Sequence, residues 1–394
     1  MSRLMFFTMH IHVKRRIAVN SFFFLSGLCF SSWASRIPDI KVKLGLSEGE
    51  LGALLLSKPV GSLVAMPVAG WLVNKYGSRS IGILAAFIYP IVLLAMGWAP
   101  SFWALALALA AFGMCGNMYN ISVNTQAIGI EQLYGKTIMA SFHGVWSLAG
   151  FTGGMLGALM IGMDIKPELH FLMVAMLAFG IILVASRFML TQDTRKNTGG
   201  MSFRDVDPWL LRIGLIAFCG MLCEGCMFDW SGVYFQKVVK ADSGLVAAGY
   251  IAFMSTMALG RFFSDRLTDR MGAVKTYQLS SMLICVGLLI AVILPNIVTA
   301  IAGFLLVGFG TSSVIPLSYS RAGRGSNLSP GIAIAIVASI GYFGFLIGPP
   351  FIGFLAQTFN LRVSFACIAL VGATIGLLAT KSFTPQLQPQ LEVK

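Results

Sequence analysis

The sequence carries little charge. Only 11% of its 394 residues are Asp, Glu, Lys or Arg, against about a quarter in soluble globular domains. So few charges could not cover the surface of a water-soluble protein of this length, and that class is excluded. Polar residues are too sparse for a disordered chain. Seven cysteines, all within apolar stretches, are too few for a disulfide scaffold. Acids are scarcest of the charged groups: 15 Asp and Glu against 28 Lys and Arg leave a net charge of +13. Apolar residues fill the remainder, at 57% of the chain with mean hydropathy +0.82. The chain reads as a polytopic protein of a lipid bilayer.

In such a protein the excess of Lys and Arg belongs to cytoplasmic loops, so no nucleic-acid partner is expected. Cys219, Cys223 and Cys226 contain a C-x-x-C spacing, but no His is near. An apolar helix also disfavours the thiolates that zinc requires. They read as small packing residues, and neither a metal nor another cofactor is expected. No nucleotide-binding loop and no nucleophile–base pairing is present, so the chain is not expected to be an enzyme.

A spanning helix needs about 20 mostly apolar residues. Such runs predict spans over 17–36, 49–73, 80–98, 102–129, 137–162 and 168–190, then over 209–236, 244–264, 276–294, 298–320, 331–356 and 361–380. The stretch between the sets, 191–208, is polar, with a Gly-Gly pair and Pro208. The expected architecture is all-α: an N-terminal bundle at 1–190, a cytoplasmic linker at 191–208 and a C-terminal bundle at 209–394. Lys14, Arg15 and Arg16 ahead of the first span resemble a signal peptide's n-region. No A-x-A site follows, and the span is expected to be retained. With the N-terminus inside, about twenty Lys and Arg face the cytoplasm and about seven the exterior, which predicts both termini cytoplasmic.

The halves echo each other. Asn74, Lys75 and Gly77 precede Asp269, Arg270 and Gly272 by 195 positions each. Cys29 and Trp33 precede Cys226 and Trp230 by 197, and Trp146 and Gly157 precede Tyr342 and Gly353 by 196. Three matches near one offset suggest a duplication, which suits two parallel bundles around a central site.

The loop Gly70-Trp-Leu-Val-Asn74-Lys75-Tyr-Gly77-Ser-Arg79 and its echo Asp265-Arg266-Leu-Thr-Asp269-Arg270-Met-Gly272 resemble motif A of the major facilitator superfamily. Segments Ser32–Pro38, His143–Leu148, Glu224–Trp230, Gly260–Arg266 and Gly341–Pro350 look like its YbjJ-like bacterial branch. The resemblance covers the whole chain. It implies a twelve-helix secondary transporter of the bacterial inner membrane, working by alternating access on a small-molecule solute. Two departures stand out. Asn74 replaces the usual Asp, and the fourth span carries neither an acid nor the Arg often found in proton-driven exporters.

An ionisable residue inside a span is costly unless paired or facing water, and is a functional candidate by default. Glu224 is the one acid well within a span, and it is the expected proton-coupling residue, with His143 next. Lys58 is expected at a solute or counter-ion site, and whether it pairs with Glu224 is left open by the sequence. Asn117, Asn120 and Asn124 share a helix face. With Gln126, Trp33, Trp146, Tyr319 and Tyr342 they are expected to wall a polar cavity. Arg36 and Asp229 are expected at an outer gate. Asn74, Lys75, Gly77, Arg79, Arg261, Asp265, Arg266, Asp269, Arg270 and Gly272 are expected to form the inner gate. Glycines 150, 153, 154 and 157 of span 5, with 344, 348 and 353 of span 11, predict close helix approach. Pro349-Pro350 predicts interrupted hydrogen bonding and a bend in the eleventh span. Proton symport of a sugar-like or anionic solute fits these features, as does proton-exchange export of a drug-like compound. A non-transporting receptor or assembly factor is the rival of another class. A monomer is expected.

Overall fold

A computed structural model describes residues 2–134, 138–191, 207–325 and 330–382. They form twelve long helices: α1 (Ser2–Lys43), α2 (Glu48–Tyr76), α3 (Ser78–Trp98), α4 (Phe102–Tyr134), α5 (Met139–Gly162), α6 (Pro167–Ala185), α7 (Pro208–Tyr234), α8 (Ala248–Met271), α9 (Ala273–Ile293), α10 (Ile297–Gly325), α11 (Pro330–Thr358) and α12 (Leu361–Ser382). Twelve helices are long and apolar enough to cross a membrane. In hydrocarbon a spanning helix satisfies its own backbone, which is why apolar runs of this length become helices.

Several helices run past their apolar runs. α1 continues to Lys43, seven residues beyond the predicted end and through Pro38. Apolar runs report the lipid-immersed length, whereas caps decide where the backbone stops. α2 begins in a capping box: Ser47 Oγ accepts from the Glu50 amide, and Glu50 accepts from the Ser47 amide at 2.8 Å. α7 begins where the Asp207 carboxylate accepts from the Trp209 amide, with Pro208 in the first turn. α11 continues as one helix through Pro349 and Pro350. The Pro349 carbonyl lies against Gly52 of α2.

The packing repeats with a period of six helices. α1 packs on α5, α2 on α4 and α3 on α6; α7 packs on α11, α8 on α10 and α9 on α12. The contacts that join the two six-helix bundles obey the same exchange, α2 with α11 and α8 with α5, while α1 meets α7 across the pseudo-axis. The sharp turns repeat too. Gly77 between α2 and α3 has φ +84°, and Gly272 between α8 and α9 has φ +80°. Glycine alone adopts such a backbone without steric cost. Most of the 191–208 linker lies outside the described residues.

The face carrying the start of α1 and the linker is termed the linker face below. On the opposite face the bundles meet closely. A Cβ on Gly52 of α2 would come within 3.0 Å of the Gly353 Cα of α11, and one on Gly232 of α7 within 2.8 Å of Pro38 of α1.

Candidate solute and coupling site

Four charged side chains lie between the bundles. Glu224, 5% exposed, sits about 24 Å along α7 from Pro208 at 1.5 Å per residue. It does not pair with Lys58. Its partner is Arg261 of α8, whose Nη2 donates to Glu224 Oε1 at 3.1 Å. The other end of the guanidinium crosses to the N-terminal bundle, where Nη1 donates to Ser147 Oγ of α5 at 2.7 Å. Ser147 in turn donates to the His143 carbonyl at 3.1 Å. Arg261 therefore leaves the loop group assigned to it and bridges the bundles beside both proton candidates. A planar guanidinium suits this task because its donors form a rigid fork.

The second pair is looser. Asp229, five residues beyond Glu224 on α7, is half-buried and within electrostatic reach of Lys58. Among the described residues the two form no ion pair within 4 Å. The Lys58 ammonium instead lies over the Phe30 ring, 4.0 Å from its centroid. Asp229 thus faces the interior and is not joined to Arg36. Arg36 is 2% exposed and donates to His170 Nδ1 at 3.3 Å, to the Asp39 carboxylate and to the Ile165 carbonyl. That network ties α1 to the start of α6 within one bundle. Lys41–Glu48 at 3.1 Å and Lys43–Glu168 at 2.6 Å add two ties at the same face. A surface cleft of about 460 Å³ opens there towards Ser243, but the Arg36 and Lys43 that line it are already bonded.

Aromatic rings connect the two charge pairs. Phe30 of α1 stacks on Trp146 of α5 with centroids 5.9 Å apart, and Phe228 of α7 meets Phe30 edge-on at 5.2 Å. Phe345 of α11 stacks on Phe228 at 6.4 Å and touches Tyr342 at 6.2 Å. The Arg261 guanidinium lies 5.9 Å from the Trp146 ring centroid. Trp146 and Tyr342 belong to this ring cluster, with the Tyr342 hydroxyl donating to the Pro59 carbonyl beside Lys58 at 3.4 Å. Tyr319 of α10 is within electrostatic reach of Glu224. Ser147, Phe30, Phe228 and Phe345 were not singled out from the sequence. Phe30, Ser147 and Phe228 each lie within four residues of a candidate on the same helix, the available signal.

The other expected residues scatter. Trp33 is 1% exposed, with its Nε1 unpartnered among the described residues. Gln126, 1% exposed, is a staple: its amide donates to Ser78 Oγ at 2.7 Å and to the Leu190 carbonyl at 3.0 Å, and accepts from the Leu190 amide at 2.8 Å. With every group bonded it cannot serve a solute. Asn117 is half-buried, with its carbonyl oxygen unpartnered among the described residues. Asn120 is exposed and accepts from Asn124 at 3.1 Å. At the linker face, Lys75 lies over the rings of Trp71 and Tyr76, Arg79 donates to the Ser186 carbonyl at 3.3 Å, and Asn74 is exposed. Arg266, Asp269 and Arg270 are exposed and form no ion pair among the described residues. The Asp265 side chain lies outside the described ones. Cys219, Cys223 and Cys226 are buried in α7, two of them contacting Thr374 and Ile368 of α12.

Known proteins share this plan. The sequence profile described as Major Facilitator Superfamily matches residues 20–330 and 251–392. An uncharacterized MFS-type transporter of Yersinia pestis is 32% identical over 93% of this chain and 95% of its own. Among solved structures, the nucleoside transporter NupG superposes with a TM-score of 0.73 at 14% identity, covering 95% of this chain and all of the other. A bacterial homolog of the human lysosomal transporter Spinster, in an inward-facing and unoccupied conformation, superposes with a TM-score of 0.74 at 15% identity, covering 95% and 98%. Those structures share the fold. The profile match and the Yersinia relative establish more: the chain belongs to the major facilitator superfamily of membrane transporters.

Proposed function

We propose that the protein is a proton-coupled secondary transporter of the bacterial inner membrane, which carries a small polar or amphipathic solute by alternating access. Its bundles, 1–190 and 209–394, rock about the central site. The linker face is cytoplasmic, as the distribution of Lys and Arg favours. Within the superfamily the chain goes with the YbjJ-like branch on the segments noted above.

One observation carries this reading. A buried carboxylate, Glu224, holds an arginine whose second bond crosses between the bundles. Protonating Glu224 removes the charge that anchors Arg261, and so weakens a tie that rocking must break or remake. A ligand or proton shifts a conformational balance only through such a differential interaction. Arg266, Asp269 and Arg270, which form no ion pair among the described residues, agree with a conformer closed at the opposite face. Asp269 and its neighbours then form their contacts in the alternate state, and so set conformational balance rather than solute recognition.

Flux in proteoliposomes tests the proposal. Wild-type protein should concentrate solute under an imposed pH gradient. Glu224→Gln should lose gradient-driven accumulation by about a hundred-fold, the ~2.7 kcal/mol scale of a buried charged contact, while retaining solute counterflow. Accumulation by the variant at the wild-type rate would make Glu224 structural and move the test to His143. Failure of the folded wild type to move any solute of a broad panel would favour the receptor or assembly-factor reading.

A further inference from the structure

We propose that the solute is a small organic anion whose carboxylate binds Lys58 and enters with one proton, so that each cycle is electroneutral. This deepens the transporter reading and rests on it. Three observations select the class.

The first is the state of Lys58. It lies where α1, α2, α7 and α11 converge, with its ammonium on the face of Phe30 and no hydrogen bond or ion pair among the described residues. An ammonium has three donors, and a ring face satisfies none of them as an oxygen would. Asp229 contributes attraction from a distance without occupying those donors. The open valence is that of an anion-binding lysine.

The second concerns the aromatic surface. Aromatic ring faces beside a polar site ordinarily invite cations. Here the protein has placed its own cations on them, Lys58 on Phe30 and Arg261 on Trp146, and these two rings stack on each other. A cationic drug would meet two positive charges at the faces that should attract it. A planar or apolar body bearing a negative group meets the rings' remaining edges and both cations. A neutral sugar offers hydroxyls to Lys58 and Asp229 but brings no negative charge to the two cations.

The third is charge balance. Lys58, Arg261, Glu224 and Asp229 sum to zero. In a low-dielectric site an added anion leaves one uncompensated charge, which is costly to bury. One proton cancels it, and Glu224 is placed to take that proton. On protonation it relinquishes Arg261, which then becomes a second cation for the solute. The proton goes to Glu224 Oε1, no covalent bond forms or breaks, and the occupied site returns to zero charge. A zwitterion would need no proton, which separates it from the anion.

The test uses purified full-length protein and a fixed panel of monocarboxylates, aliphatic and aromatic. Each acid is matched by its neutral amide, its amine and its α-amino acid, and sugars and cationic dyes complete the panel. Thermal shifts should be confined to carboxylates and be larger at mildly acidic pH. Lys58→Gln should weaken the best carboxylate by about thirty-fold or more, the ~2 kcal/mol lower bound for removing one partner of a buried charge pair. Lys58→Arg, which keeps the charge, should recover part of it and so exclude misfolding as the cause. In proteoliposomes, uptake of that carboxylate should follow the pH gradient and ignore a potassium–valinomycin potential. Hits confined to sugars, amines or amino acids would overturn the proposal, as would no carboxylate hit at all, unchanged binding in Lys58→Gln, or uptake driven by potential. Proton-driven uptake of a sugar would overturn the anion class while leaving the transporter reading intact.

Discussion

The two bundles open with helices that match in packing and differ in chemistry. α1 and α7 share Cys29/Cys226 and Trp33/Trp230 at one offset, and both indoles are buried with their Nε1 unpartnered among the described residues. At that same offset, α1 carries Gly27 and Ser32 where α7 carries Glu224 and Asp229. Gly27 lies flush on α5: a Cβ there would meet the Trp146 carbonyl at 2.5 Å and Ala149 Cβ at 2.9 Å. Glu224 instead reaches Arg261 of α8. The repeat keeps the residues that pack the helices and varies the charged ones. The N-terminal half supplies Lys58, the close glycine seats and the Ser147 hydroxyl; the C-terminal half supplies both acids and the arginine.

Placing the acid of α7 into α1 is the harshest way to break this comparison. Gly27→Glu has no room against α5. The variant should lose its monodisperse peak in detergent, since overpacking a helix seam costs about 1–3 kcal/mol and burying a charge adds to that. A folded, active variant would show that the two helices are interchangeable. Smaller effects sharpen the shared part. Gly77→Ala and Gly272→Ala each force a side chain into a positive-φ turn at roughly 1–2 kcal/mol, so both should lower the melting temperature by similar amounts. A neutral result at either turn would mean that the repeat is not mechanical there. The smallest change is expected at Asp269→Asn, whose counterpart Asn74 is already neutral. Transport rate and cytoplasmic thiol accessibility should shift about two- to five-fold, the range of an exposed ion pair, with solute affinity unchanged. A large affinity loss with unchanged accessibility would place Asp269 in recognition instead.

Much of the fold was legible because the bilayer imposes one rule on every span. Length and hydropathy located twelve helices, and three residue matches exposed the repeat. Ends were less legible: α1 overruns its apolar stretch because lysines and a proline sit where the helix leaves the hydrocarbon. Within the site, Glu224 stood out because an acid in an apolar run has few bland explanations. Its partner did not. Arg261 follows Gly260 close to a cluster of loop charges, and sequence distance hides that it faces α5 and α7 rather than the loop. Gln126 misled for the opposite reason. A polar residue in a span signals the need for a partner, and the end of α6 meets that need as well as a solute would.

The glycines of α5 have a consequence for how the bundles move. Gly153 and Gly157 receive the hydroxyls of Ser31 and Ser35 from α1, whereas Gly150 and Gly154 receive the Met254 methyl and the Tyr250 ring from α8. The first seam joins a helix to its own bundle through short, stiff plugs set into notches. The second joins it to the other bundle through a flexible thioether and a flat ring edge. A notch resists shear, while a smooth, deformable contact permits it. In the proposed rocking motion α5 acts as a bearing, fixed on one side and free to slide on the other, with Gly144, Gly150 and Gly154 lining its share of the slip plane.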